Sequence, residues 1–296
     1  MQKLLIVGCG DVARRTLPYL LGHYRVFALL RDPAQCAFWR AHGARPVLAD
    51  LDRAVSLKRI GGRADIVLHF APPPEDGVSD TRTRRLLMAL TMGKSLPQRL
   101  IYISTSGVYG DCGGARISES HALRPATARA RRRVDAERQL LRFGRRHGVC
   151  VCLLRAPGIY AADRLPIERI QKGMPVLCAE DDVYTNHIHA DDLAMLVCAA
   201  LRHGRPGHAY NASDDSELKM GDYFDLVADR FGLPRPLRIT RSDAATQMSP
   251  VQLSFMNESR RLDNRRIKTE LRARLRYPQV ADGVEAAVQE IRGENQ

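Results

Sequence analysis

The stretch Leu4-Leu5-Ile6-Val7-Gly8-Cys9-Gly10-Asp11-Val12-Ala13 decides how the rest of the chain is read. A wholly apolar run stops at Gly8, and Gly10 and Ala13 follow at the spacing G-x-G-x-x-A. That spacing closes a tight strand-to-helix turn, lets backbone approach a diphosphate and aims a helix N-terminus at it. Gly8, Gly10, Asp11, Val12 and Ala13 are therefore expected at the phosphates of a dinucleotide cofactor. The spacing alone is weak; its place between a strand and a helix, with further strand ends in register, strengthens it.

Outward from this turn, apolar runs recur at Arg25–Leu30, Arg45–Ala49, Asp65–Phe70, Leu100–Ser104 and Val149–Arg155, with amphipathic stretches between most of them. Strands that are apolar on both faces and alternate with helices predict an α/β fold, a doubly wound parallel sheet covered on both sides. Pro18 falls inside the first helix and removes a backbone donor there. After about Pro157 the rhythm changes to short segments broken by Gly and Pro, with an apolar helical spacing at Val280, Val284, Ala287, Val288 and Ile291. The expected organisation is a nucleotide-binding domain over residues 1–160. Residues 161–296 then complete the sheet, at about 183–212, and form a small substrate lobe.

The second strand run ends at Arg31-Asp32. A carboxylate at this position accepts from ribose hydroxyls, whereas an arginine matches a 2′-phosphate. Arg31 thus favours NADP over NAD; the alternative is an exposed Arg31 with Asp32 serving the ribose. The chain has 296 residues, 45% of them hydrophobic, a net charge of +13 and 7 cysteines without a C-x-x-C pair. No apolar run is long enough to span a bilayer, and the N-terminus lacks secretory features, so a cytoplasmic protein with reduced cysteines is expected. The basic charge is spread along the chain, denser at 129–133 and 260–266, and aromatics are 6%. No base-stacking platform is evident, and a nucleic-acid role is not expected.

Several motifs lie further along. They are Asp50-Leu51, Ile103-Ser-Thr-Ser-Gly-Val-Tyr-Gly110, Leu154-Arg-Ala-Pro-Gly-Ile-Tyr160 and Asn186-His-Ile-His-Ala-Asp-Asp-Leu193, followed by Leu262-Asp-Asn-Arg-Arg266, Glu270-Leu271 and Tyr277-Pro278. With the glycine turn, these resemble an extended or atypical short-chain dehydrogenase/reductase of the NAD-dependent epimerase/dehydratase type over nearly the whole chain. The resemblance implies a Rossmann-type sheet with a small C-terminal substrate lobe. It also implies that Asp50 contacts the adenine and Leu51 packs on it, that Ala71, Pro72 and Pro73 line the cofactor, and that Pro157 sits by the nicotinamide. Thr105 matches the catalytic Ser/Thr, and the segment from His187 to Asp192 packs under the substrate lobe. Relatives often dimerise through two helices, here 81–90 and 131–143.

One departure stands out. Where the family has proline, tyrosine, lysine and glutamate at four-residue intervals, this chain has Pro125, Arg129, Arg133 and Glu137. No Tyr-x-x-x-Lys occurs anywhere in it. Arg129 does not replace the tyrosine, because a guanidinium stays protonated and accepts nothing. Arg133 remains suited to ribose hydroxyls or to a substrate anion. Other proton carriers near the expected centre are Tyr109, Asp111, Glu119 and His121, with Tyr109 the best on chemistry. His187 and His189 lack a third ligand at metal-site spacing, so no metal is expected. No G-x-S-x-G elbow accompanies Ser104 and Ser106, which disfavours a serine hydrolase. Ser106 and Gly107 stand where dehydratases of the family carry two acidic residues. The reading is an NAD(P)-binding oxidoreductase or epimerase-like enzyme of a small polar or nucleotide-sugar-like molecule. The alternative is a cofactor-binding sensor that acts through protein contacts, with 128–133 as its surface.

Overall fold

The computed structural model describes residues 1–93, 95–248, 253 and 256–293. Seven parallel strands form its main sheet: β1 (Lys3–Val7), β2 (Arg25–Leu30), β3 (Arg45–Leu48), β4 (Ile66–His69), β5 (Arg99–Thr105), β7 (Cys150–Ala156) and β11 (Ala209–Asn211). Their spatial order is β11-β7-β5-β4-β1-β2-β3. The reversal of order at β1 and β4 is the switch point at which doubly wound sheets hold ligands.

Alternate residues of each strand enter opposite cores, which is why the runs read as continuously apolar. Leu4, Ile6, Ala28, Leu68, Ile101 and Leu154 face one core, where α1 (Asp11–Leu21) packs against α6 (Ala190–His203). Leu5, Val7, Val67, Leu100, Tyr102 and Leu153 face the other, under α3 (Thr81–Thr91) and α4 (Ala128–His147). The helix α1 continues unbroken through Pro18. Thr127 caps α4 by accepting from the Ala130 N–H, and Gly148 ends it in the left-handed conformation that glycine tolerates. Both α3 and α4 run beyond the ranges read from the sequence.

Short elements build the rest. The pairs are β6 (Arg116–Ile117) with β13 (Arg261–Leu262), β8 (Gly158–Tyr160) with β10 (His187–His189), and β9 (Val176–Leu177) with β12 (Arg238–Ile239), all parallel. Around them lie α2 (Cys36–Ala41), α5 (Ile167–Gln171), α7 (Met220–Phe231), α8 (Arg241–Gln247), α9 (Arg265–Thr269) and α10 (Val280–Gly293). Tyr160, Ile170, Phe224, Val227 and Val284 form a separate apolar cluster in this region. Among the described residues no helix is long and apolar enough to cross a membrane.

Candidate active site

Two cavities open over the carboxyl ends of the strands. The first, of about 330 Å³, is walled by Gly8 and Gly10 after β1, Arg31 and Asp32 after β2, Asp50 and Leu51 after β3, and Ala71 and Pro72 after β4. Gly8 has φ +95°, and a Cβ there would lie 2.2 Å from the Ala71 nitrogen. A Cβ on Gly10 would meet nothing within 4 Å, so the chain faces open space at that point. Gly10 precedes α1 without a side-chain cap, which leaves the first-turn N–H groups to a ligand. Uncapped donors beside open backbone fit a diphosphate.

The remaining side chains expected here have divided roles. Ala13 is buried in the core and Val12 packs against it, so both offer backbone only. The Asp11 carboxylate pairs with Arg15 on its own helix and with Arg164 from the far lobe. Arg31 is exposed on the cavity wall. Asp32 accepts from the Ala34 N–H at 2.9 Å and caps the turn after β2. Asp50 accepts from the Asp52 N–H, and Leu51 is buried. Pro73 is buried and lies off the wall; its carbonyl accepts from Arg82. Arg82, which does line the cavity, was not anticipated from sequence. It also pairs with Asp52, which holds that carboxyl below its ordinary value.

The second cavity, of about 390 Å³, lies over β5 and β7. Thr105, Arg129, Arg133 and Pro157 all reach its wall. Thr105 Oγ1 accepts from the Gly107 N–H at 3.2 Å, which leaves its own proton to donate. Arg133 is half-buried, with Nη1 donating to the Tyr102 hydroxyl and to the Ile103 carbonyl, each at 2.9 Å. Tyr184, Glu258 and Arg260 complete the wall from segments distant in sequence. The run of basic residues at 260–266 was visible, but nothing in its spacing marked Arg260 as buried.

Tyr109 is a correction to the sequence reading. Its phenol is fully buried and absent from the cavity wall. The hydroxyl donates to Asn211 Oδ1 at 2.7 Å and accepts from Arg155 Nη1 at 2.8 Å. Burial pushes its pKa up to about 12. Arg155 also forms a two-point pair with Glu137, so the phenol belongs to a structural network and not to a reaction centre. Within 128–133, Ala128, Arg129 and Arg131 are exposed, whereas Arg132 is buried and donates to the Gly77 carbonyl. His187 and His189 form β10, and among the described residues no group of His, Cys, Asp or Glu is arranged to hold a metal.

Comparison with known proteins adds three findings. The model of the NAD dependent epimerase/dehydratase family matches residues 4–213. A curated dTDP-D-glucose 4,6-dehydratase of Homo sapiens is 23% identical over 175 residues, covering 53% of this chain and 50% of that protein. The chain spans half or less of the length of the first curated dehydratases it matches. Among solved structures, a conserved protein of unknown function from Silicibacter pomeroyi is 28% identical, with TM-score 0.78, covering 98% of this chain and 99% of that one. A dTDP-glucose 4,6-dehydratase of Bacillus anthracis, solved with NAD, has TM-score 0.79 at 17% identity, covering 99% and 97%, and shares the fold.

Proposed function

The chain belongs to the NAD dependent epimerase/dehydratase family, and from that premise we propose that it is an NAD(P)-dependent oxidoreductase or epimerase-like enzyme acting on a small polar or nucleotide-sugar-like molecule. One observation carries the reading. Residues far apart in sequence, Gly8, Gly10, Arg31, Asp50 and Ala71, meet in one cavity at the switch point, and Thr105 and Arg133 meet in the next. In this reading Arg31, Asp50 and Leu51 would hold the adenosine half of a dinucleotide, Gly8, Gly10 and the α1 N-terminus would hold its diphosphate, and Pro157 would border a nicotinamide, which when bound would supply or accept hydride. The Thr105 hydroxyl donates to the reacting oxygen, while Arg129 and Arg133 hold charge without releasing a proton. A second reading, a cofactor-holding protein without turnover, is favoured by the buried Tyr109 and the arginines at the tyrosine and lysine positions.

Within this reading the cofactor is NADP. Arg31 lines the cavity, and the carboxylate beside it is already engaged as a turn cap. A hydrogen bond to a charged group contributes about 1.5–3 kcal/mol, so NADPH is expected to bind at least about tenfold tighter than NADH. Arg31→Ala abolishes that difference and leaves NADH affinity unchanged. Fluorescence titration with both nucleotides measures this; equal affinities in the wild type reject NADP. Incubation with NADPH and a panel of carbonyl compounds and nucleotide sugars then separates the two readings, since binding without turnover across the panel selects the second.

A further inference from the structure

We propose that the surface trough between α1 and α6 docks an acidic segment of a partner protein. An apolar side chain of that segment would lie on the trough floor, and its carboxylates would meet Arg202, Arg272 and Arg274. The docking does not depend on cofactor or turnover, because the trough shares no residue with either cavity over the strand ends.

Two adjoining cavities, of about 300 and about 440 Å³, have Tyr19, Cys198 and Arg202 in common and so form one trough. Met195, Ala199, Leu271 and Leu275 give it an apolar floor, and Tyr19 stands 48% exposed where the two cavities meet. Tyrosine, methionine and arginine are the side chains enriched at protein interfaces, and lysine and carboxylates are depleted there. The trough has no lysine and one carboxylate. That carboxylate, Asp192, is fully buried and accepts from the Arg276 and Tyr277 N–H groups at 2.7 and 2.9 Å.

Charge selects the occupant. Arg202, Arg272 and Arg274 are exposed on the rim, and among the described residues none of the three forms an ion pair. Nearby arginines do: Arg15 pairs with Asp191, and Arg205 and Arg266 pair with Glu270. Three fixed cations without an answering carboxylate set up a positive field that draws an acidic partner and repels a basic one. An acidic segment with an apolar side chain answers the rim and takes the floor out of water together. Arg272 adds an independent sign. Among the described residues it is the only non-glycine at positive φ, at 55°. It stands in the turn after α9, where the Ala273 N–H donates back to the Ile267 carbonyl. Glycine takes that conformation without cost, so a guanidinium is kept on the rim against the preference of its own backbone.

Fluorescence anisotropy with the full chain tests this, using three labelled peptides of about twelve residues. The first sets glutamates and aspartates around one leucine and one phenylalanine. The second replaces the acids by their amides, and the third replaces the two apolar residues by serine. The first is expected to bind, and the other two at least about tenfold more weakly. Arg202→Gln and Arg274→Gln are expected to weaken the first peptide about threefold each and about tenfold together, the range for exposed ion pairs. Arg145→Gln, on the exposed far end of α4, controls for general positive charge and is expected to bind as the wild type does. Arg272→Gly separates docking from folding: affinity falls, while the urea midpoint holds or rises as the backbone strain is relieved. Absence of binding by the first peptide, or equal binding by all variants, overturns the proposal. Tighter binding of polyuridylate that the same substitutions weaken overturns it in favour of a nucleic acid. Self-association in sedimentation that they abolish overturns it in favour of a second copy of the chain.

Discussion

At the scale of single residues, Gly8 and Tyr109 show how one atom's surroundings decide a role. Gly8 must be glycine twice over, by its φ of +95° and by the Ala71 backbone pressed against its missing Cβ. The Phe70 and Ala71 N–H groups both donate to the Val7 carbonyl, so the ends of β1 and β4 cannot separate to make room. A non-glycine residue in this region costs about 1–3 kcal/mol before any clash is counted. Gly8→Ala is therefore expected to destabilise the fold by at least about 2 kcal/mol, read as a lower urea midpoint; a wild-type midpoint would contradict the close approach. Tyr109 has the right chemistry for proton transfer but the wrong address. Sequence revealed its phenol and its neighbourhood, but not the Asn211 and Arg155 side chains that enclose it.

At the scale of elements, α4 does two jobs along one face, where Arg129, Arg133 and Glu137 follow at four-residue intervals. Its first turns carry Arg129 and Arg133 to the cavity. The next turn carries Glu137 to Arg155 of β7 and Ser104 of β5. Arg155 donates to Glu137 through Nε at 3.2 Å and Nη2 at 2.8 Å, and Ser104 donates to the same carboxylate at 2.6 Å. Both ionised groups are buried, and the pairing keeps the Arg155 guanidinium firmly protonated. Removing one partner from a buried pair strands the other charge, at a cost of about 3–5 kcal/mol. Glu137→Ala is expected to lose that much stability by denaturant unfolding. A loss below about 1 kcal/mol would show that Arg155 finds other partners.

At the scale of the whole molecule, buried titratable groups shape stability against pH. Burial holds His69 and His187 at about 3 and His189 at about 4, below the ordinary 6.5. Through the acid range up to about pH 6.5 the unfolded chain binds protons that the fold refuses, so stability rises with pH. Asp214 acts in the opposite sense. Burial lifts its carboxyl from 3.8 to about 8, so the fold keeps a proton that the unfolded chain has already released, and stability falls across that span. Below about pH 6.5 the histidines outweigh it; above, Asp214 dominates among these four groups. Maximum stability is expected near pH 6.5, with a decline towards pH 8 of up to about 1 kcal/mol per unit. Asp214→Asn should flatten that decline and steepen the rise between about pH 4 and 6.5, because its opposing slope is removed across the whole span. Urea midpoints at about pH 5, 6.5 and 8 measure both; a decline that survives in the variant assigns it to another group.

The sheet and the glycine turn were legible along the chain, because both are written locally. Strands buried on two faces must be apolar without a break, and a turn that presses β1 against β4 admits glycine and little else. The three-residue β11 and the two- and three-residue ladders were too short to carry a period. Tertiary structure alone decided the second cavity. It brought Arg260 and Glu258, far along the chain, to the arginines of α4, and it turned Tyr109 inward. Periodicity reports which face of an element is apolar, but which distant side chain meets that face depends on how whole elements pack, and a charge or a phenol acts only through what surrounds it.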